Sequence, residues 1–449
     1  MMPTSFQVRV GIAVDISALA LGAALLSGCA TGLVTGNQVT SGSSTVGHIQ
    51  GSVHGGQQPV SGATIQLYAV TTGGYYAPAT ALLTTPVTSG TIGTFSITGD
   101  YSCTGVDQVY IVASGGNPGL PGNVNNGALA LMAALGSCST LLANANTTFI
   151  NLNEVTSVAG AWALAQFMNS PTNAGTSVTN VVGVDNAFAT ANKIANVAAG
   201  TAPGPALPAG ATLPIAEVNT LANIISSCVN STGSTASGTP CATLFAAATP
   251  PGGSAPTDTL TAALNIAHFP ANNVPALFTL ATPSAVFQPT LSTAPTNWLI
   301  GIHHTGGGLA QPTGVAVDAT GNVWVSNSAN AVSEFSPTGS ALSPAGGYTA
   351  GALSSPSAIA IDLSGDAWVT NLTGSVTRIT PLGASAINFT GGGFNLPSSI
   401  AIDGSGNVWV GNSGNSTVSG LSSAGSVIAG TPFSGGGINT PGGIAVSAK

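Results

Sequence analysis

The chain has 449 residues, of which only 4 are Lys or Arg and 12 are Asp or Glu, for a formal net charge of −8. Beyond Arg9 the only basic side chains are Lys193, Arg378 and Lys449, too few to build a phosphate-contacting patch or a polybasic membrane contact, so nucleic-acid binding is excluded. Soluble domains carry about a quarter charged residues, so hydration here falls to Ser, Thr, Asn, Gln and exposed backbone, a surface suited to an extracellular protein.

The first residues read as an export signal: Arg9 gives a thin positive region and Ile16 to Leu26 an apolar stretch too short to span a bilayer. That stretch runs into Leu26-Ser27-Gly28-Cys29, which resembles the lipobox of bacterial lipoproteins. The resemblance implies a signal peptide over 1–28, cleavage before Cys29, lipidation of that cysteine, and a membrane contact through the lipid anchor only. An ordinary signal peptide and plain secretion are the alternative, since Asp15 and the single basic residue depart from the pattern. Residues 29–46, rich in Gly, Ser and Thr, read as a flexible tether. Cys103, Cys138, Cys228 and Cys241 remain, an even number in an exported chain. Three connectivities are open; the expected one is Cys103–Cys138 and Cys228–Cys241, each pair falling within one apparent region. No Cys/His zinc spacing is present.

From 47 to 122 the pattern is β. Ile49, Gly51 and Val53 alternate with polar residues, as do Ala63, Ile65 and Leu67, while Tyr110-Ile-Val-Ala113 is continuously apolar. Gly51-Ser-Val, Gln58-Pro-Val-Ser-Gly-Ala-Thr-Ile-Gln-Leu67 and Gly93-Thr-Phe-Ser-Ile97 resemble the first strands of transthyretin-like, or carboxypeptidase-regulatory-like, β-sandwiches. The resemblance implies a structural or adhesive spacer.

Residues 123–285 turn Ala-rich and read as a helical domain. A helix is expected from Asn151-Leu-Asn-Glu154 to Phe167, opened by a capping box in which Glu154 reaches back. Glu154 stands alone among acids in its neighbourhood, which raises a catalytic reading, but the cap explains it better. A second helix is expected from Pro214 or Ile215 to Val229. A third runs from an Asp258 N-cap to a stop before Pro270, with His268 facing its C-terminal dipole.

Over 286–449 one phrase recurs. Gly314-Val-Ala-Val-Asp-Ala-Thr-Gly-Asn-Val-Trp-Val-Ser-Asn327 returns at 358–371 and 399–412, and Gly443-Ile-Ala-Val446 starts another copy. Asp318, Asp362 and Asp403 keep step with Trp324, Trp368 and Trp409 and with Asn327, Asn371 and Asn412. Four strands in some 40–45 residues match one propeller blade. Blades are expected at about 312–355, 356–396 and 397–440, with a partial one at 441–449.

The Asp-x-x-Gly turn calls for a carboxylate that bonds turn amides. It is a structural role rather than metal ligation. Each Trp is expected to pack between blades, with a sugar-stacking row as the sharper alternative, and each Asn to bond its own blade.

The pattern resembles NHL-type repeats and, more loosely, the propellers of streptogramin lyase and gluconolactonase-like enzymes. The resemblance implies architecture and transfers no catalytic residue. Enzymes on such scaffolds gather unlike polar side chains at one end of the channel. The unique candidates here, His303, His304, Glu334, Asp366 and Arg378, offer no general base with a partner.

Propellers have four to eight blades. Trp298–Ile302 and Gly443–Val446 are candidates to meet as parts of a fourth; an open arc, closure by self-association and a truncated gene product are the other possibilities.

The expected fold class is therefore multidomain and mainly β: an N-terminal β-sandwich, a central α-helical region and a C-terminal partial β-propeller of three blades plus fragments. The expected function is a non-catalytic interaction scaffold for a protein or carbohydrate ligand, with no cofactor. A metal-dependent lyase or lactonase, and a truncated non-functional relative, are the alternatives.

Overall fold

The computed structural model describes residues 48–99, 101–144, 149–281 and 286–446; the expected signal peptide, Cys29 and the tether lie outside them. The chain is mainly β, in several small antiparallel sheets, with seven α-helices among the described residues. These are α1 (Cys138–Asn144), α2 (Glu154–Leu164), α3 (Val181–Ile194), α4 (Ile215–Val229), α5 (Pro240–Ala247), α6 (Thr259–His268) and α7 (Val274–Phe278). None of the described helices is long and apolar enough to cross a membrane.

The N-terminal part is layered. One sheet joins Ile49–Gly55 to Gln58–Pro59, Thr94–Ile97 and Phe149–Leu152; the other carries Thr64–Ala69, Gln108–Ser114 and Ala130–Ser137 side by side. Alternate residues of a strand face opposite ways, and both faces of the second sheet are used. Val109, Ile111, Ala113, Leu131 and Ala133 fill the core between the sheets. Tyr110, Val112, Ala130, Met132 and Ala134 pack on the helices. A middle layer covered on both sides explains why Tyr110–Ala113 is apolar without alternation.

The same layering corrects the boundary expected at 122. Ala130–Ser137 and Phe149–Leu152 are strands of the two sheets, not part of a helical domain. Ala and Leu favour helix by propensity, but a segment buried on both faces gains more as the strand that completes a sheet.

Two helices fall where the sequence puts them. α4 ends at Val229 as expected, and the Asp258 carboxylate accepts the Thr261 amide at 2.8 Å at the head of α6. The cap of α2 differs. Asn153, not Asn151, is the N-cap, its partner in the capping box is Thr156, and Glu154 makes no cap bond. Cys103 is bonded to Cys138 and Cys228 to Cys241, across sequence separations of 35 and 13. The longer closure stabilises by about 4 kcal/mol and the shorter by about 3 kcal/mol through the lost entropy of the unfolded loop, and both are consistent with an extracytoplasmic location.

From Pro312 onward three repeat units follow, each built on an inner, a middle and a third strand. Unit 1 has Pro312–Val317, Val323–Asn327 and Ala331–Phe335; unit 2 has Pro356–Ile361, Ala367–Asn371 and Ser375–Ile379; unit 3 has Pro397–Ile402, Val408–Asn412 and Thr417–Leu421. Unit 2 adds the outer strand Ala386–Phe389, where units 1 and 3 have two isolated bridges each, Val332 to Tyr348 and Phe335 to Ala341, and Val418 to Phe433 and Leu421 to Val427.

Each unit has a tryptophan face and an aliphatic face, and the two meet at every joint. Trp324, Val332 and Tyr348 of unit 1 pack on Ile359, Ala367, Val369 and Ile379 of unit 2. Trp368 and Val376 of unit 2 pack on Val408, Val410 and Leu421 of unit 3.

Trp298 does not form a strand with 443–446. It is buried among the helices, where its carbonyl accepts the Trp162 indole N–H at 2.7 Å and its ring lies 6.5 Å from Phe278. Only His303–His304 is extended there, paired with Ala211–Thr212.

Candidate functional site

The inner strands of the three units stand next to one another, and all three end on the same side at Asp318, Asp362 and Asp403. A depression of about 360 Å³ opens there, lined by Val317, Asp318, Ala319, Ile361, Asp362, Leu363, Ile402, Asp403, Gly404 and Val446. Apart from the three carboxylates its side chains are aliphatic.

Those carboxylates are already committed. Asp318 Oδ1 accepts the amides of Thr320 and Asn322, both at 2.9 Å, and Oδ2 accepts the Asn322 side chain at 3.0 Å and the Trp324 indole N–H at 3.2 Å. Asp403 repeats the set with Ser405, Asn407 and Trp409 at 2.9–3.0 Å. Asp362 repeats it with Ser364, Asp366 and the Trp368 indole N–H at 2.8 Å. Hydrogen bonds to the charged form favour it. The Trp409 indole, with Asn407 and Ser405, holds the Asp403 carboxyl at about 2. At Asp318 burial acts upward, but the bonds from Thr320, Trp324 and Asn322 outweigh it and keep the carboxyl below its ordinary value. Each Asp thus closes its turn and fixes one Trp, with little acceptor capacity left for a metal or a substrate proton.

Each Trp in turn faces an aromatic of its own unit: Trp324 with Tyr348 at 5.8 Å, Trp368 with Phe389 at 5.3 Å and Trp409 with Phe433 at 6.2 Å. Asn327, Asn371 and Asn412 are buried and tie the loop before the inner strand to the third strand. Their oxygens accept Ala310, Ser354 and Asn395 amides, and their amide groups donate to Ser333, Thr377 and Ser419 hydroxyls at 2.8–3.0 Å.

Unit 2 departs from the others where Asp366 replaces Asn322 and Asn407. Asp366 lies 3.6 Å from Arg378, whose guanidinium sits 5.4 Å above the Trp368 ring. Burial, and then the neighbouring Asp362 charge, push the Asp366 carboxyl up, partly offset by Arg378. In unit 1 the buried Glu334 receives the Tyr348 hydroxyl at 2.8 Å. The two histidines face apart: His303 is exposed, whereas His304 packs against Phe335 at 6.3 Å. No group of three His, Cys, Asp or Glu suited to a metal ion occurs among the described residues.

One repeated feature was overlooked in the sequence. The residue after the first proline of each unit, Thr313, Ser357 or Ser398, donates its hydroxyl to the carbonyl of the next such proline, Pro356, Pro397 or Pro441, at 2.9, 2.7 and 2.7 Å. The Pro-Thr/Ser pairs carry that signal. The last of these bonds places 441–446 beside the inner strand of unit 3.

No protein-family model and no characterised protein sequence matches the chain. Among solved structures, it is similar to virginiamycin B lyase from Staphylococcus aureus at 21% identity and a TM-score of 0.23, over 26% of this chain and 40% of the lyase. It is similar to a streptogramin B lyase at 16% identity and a TM-score of 0.23, over 27% of this chain and 40% of that one. It is similar to the hydrazine synthase of Kuenenia stuttgartiensis at 18% identity and a TM-score of 0.26, over 31% and 40%. The chain spans well under half the length of each, and no activity is carried over from them.

Proposed function

We propose that residues 312–446 are an arc of NHL-like propeller blades, and that the chain is an exported surface protein, lipid-anchored through Cys29, whose arc is a non-catalytic interaction scaffold. The observation that carries this reading is the division of labour at the depression. The polar residues that repeat there are spent on their own turns, while Val317, Ile361, Leu363 and Ile402 are left to meet a ligand. Such a surface suits the apolar side chains of a protein partner or the apolar face of a carbohydrate.

The test is binding of the full chain to glycan and peptide arrays, compared with Leu363→Asp and Ile361→Asp. The expected result is a ligand whose binding both substitutions abolish. Metal-dependent lactone or macrolide-ring turnover, lost on substituting the depression residues, would overturn the reading. For the anchor, Cys29→Ser is expected to abolish acyl labelling and membrane association; unchanged fractionation refutes it.

A further inference from the structure

The arc has two unmatched ends, and each is one half of a joint that the chain already makes twice. At the internal joints the tryptophan face is closed: Trp324, Trp368, Val332 and Val376 are fully buried and Tyr348 is 7% exposed. At the free end of unit 3 the equivalent residues are open, with Trp409 and Val418 half-buried and Phe433 42% exposed. The aliphatic face is open at its inner strand, while further out His304 fills the seat beside Phe335 and Gly339 that Tyr348 and Phe389 fill beside Gly383 and Gly425. Ile359, on the inner strand of unit 2, is 8% exposed, while its counterpart Val315 in unit 1 is 66% exposed and Val317 60% exposed.

These faces are complementary by construction, because the repeat gives them the same side chains as the faces they meet elsewhere. Large exposed aliphatic and aromatic groups in register with a packed joint mark an association surface. The third strand of unit 3 brings no charge to its tryptophan face, since the position held by Glu334 and Arg378 is Gly420 there.

We infer that a second copy of this chain docks here, the tryptophan face of unit 3 on the aliphatic face of unit 1 of its partner, and the reverse, so that two arcs close one ring of six blades. This rests on the propeller reading above. The geometry is a two-fold one in which each copy offers one face of either kind, and a head-to-tail contact closes when the rotation permits.

The slot for the partner's inner strand is held in the single chain by Pro441-Gly-Gly-Ile-Ala-Val446. Its sequence follows Pro312-Thr-Gly-Val-Ala-Val317, and it rests on the Ser398 hydroxyl. In the pair Pro312–Val317 of the partner takes that place, exchanging like contacts for like; the partner's middle strand then covers Trp409, and Phe433 takes the seat beside the partner's Phe335 and Gly339 that His304 holds in the single chain. The closed ring would surround the depression with inner strands from both copies.

The test uses the full chain carrying Cys29→Ser, so that no acyl group contributes to association. Sedimentation velocity over a dilution series is expected to show a species of twice the 43.3 kDa chain mass. Val317→Asp and Phe433→Asp alter side chains already exposed in the single chain, so folding is expected to survive, as circular dichroism would verify. Each alone should raise the dissociation constant by about a hundredfold or more, as burying an unpaired charge at an interface does. Mixing the two variants should restore part of the dimer, because the mixed pair has one joint free of both substitutions. A monomer throughout, an open ladder of higher oligomers, or a dimer indifferent to both substitutions overturns the ring. A monomer that still binds ligand in the depression overturns the ring alone and leaves the scaffold reading standing.

Discussion

Glu154 offers the most direct quantitative test of the N-terminal architecture. Its carboxylate is fully buried at the head of α2, accepting the Gly56 amide at 2.9 and 3.0 Å on its two oxygens. Burial pushes its pKa up from 4.5 to about 7, against the opposing hydrogen bonds from Gly56, its own backbone and Ser226. Between these values the folded chain holds a proton that the unfolded chain releases. The favourable contribution is therefore complete below about pH 4.5 and is lost as pH rises through 7. At 1.36 kcal/mol per pKa unit the loss is about 3 kcal/mol. For a region of this size that corresponds to roughly 6–12 °C in melting temperature.

Glu217, also held at about 7 by burial, acts with the same sign but is half-exposed and contributes less. The His54 ring, lowered by burial, acts with the opposite sign. The quantity to measure is thus the difference between the native chain and Glu154→Gln, whose carboxamide oxygen still accepts the Gly56 amide. Calorimetry at pH 5 and pH 8 should find the two nearly equal at the lower pH and the variant more stable at the higher. A native chain whose pH dependence matches that of Glu154→Gln would refute the reasoning.

The joints and close contacts give further expectations. Trp368→Ala, at a closed joint, should cost about 3–5 kcal/mol, while Trp409→Ala, at the open end, should cost clearly less in urea titrations of the monomer; equal losses would contradict the two-face description. Asp362→Ala removes the acceptor of the Trp368 indole and of two turn amides, and should cost about 2–3 kcal/mol by the same assay, with a near-neutral result refuting the turn role. Gly51→Ala places a methyl group against the Ile150 carbonyl oxygen and the Phe95 ring, where backbone cannot yield, and should lower the melting temperature by several degrees. Cys228→Ser with Cys241→Ser should cost about 3 kcal/mol in urea titration, with a near-neutral result contradicting the loop-closure account.

Residue spacing alone located much of this molecule. The repeat of Pro, Asp, Trp and Asn marks the three sheets because each residue does its work within its own unit: a turn closed by Asp403, an indole held by that turn, a loop tied by Asn412. α4 and α6 were legible because apolar periodicity defines the one and a local Asp258 cap the other.

Contacts between distant segments decided the rest. Ala130–Ser137 became a strand because a sheet edge and two apolar layers awaited it, which composition cannot show. Glu154 reads as a cap within its own helix, yet its partner, Gly56, lies 98 positions earlier in the chain. Trp298 has the look of a strand residue and is instead a core residue of the helices. The repeated Asp residues could be assigned to turns from sequence. That their turns leave an aliphatic depression between them, and that Val315 and Phe433 stand open where Ile359 and Tyr348 are packed, depends on which faces find a neighbour. Local pattern therefore determined the repeat units, and packing in three dimensions determined which of their faces remain open.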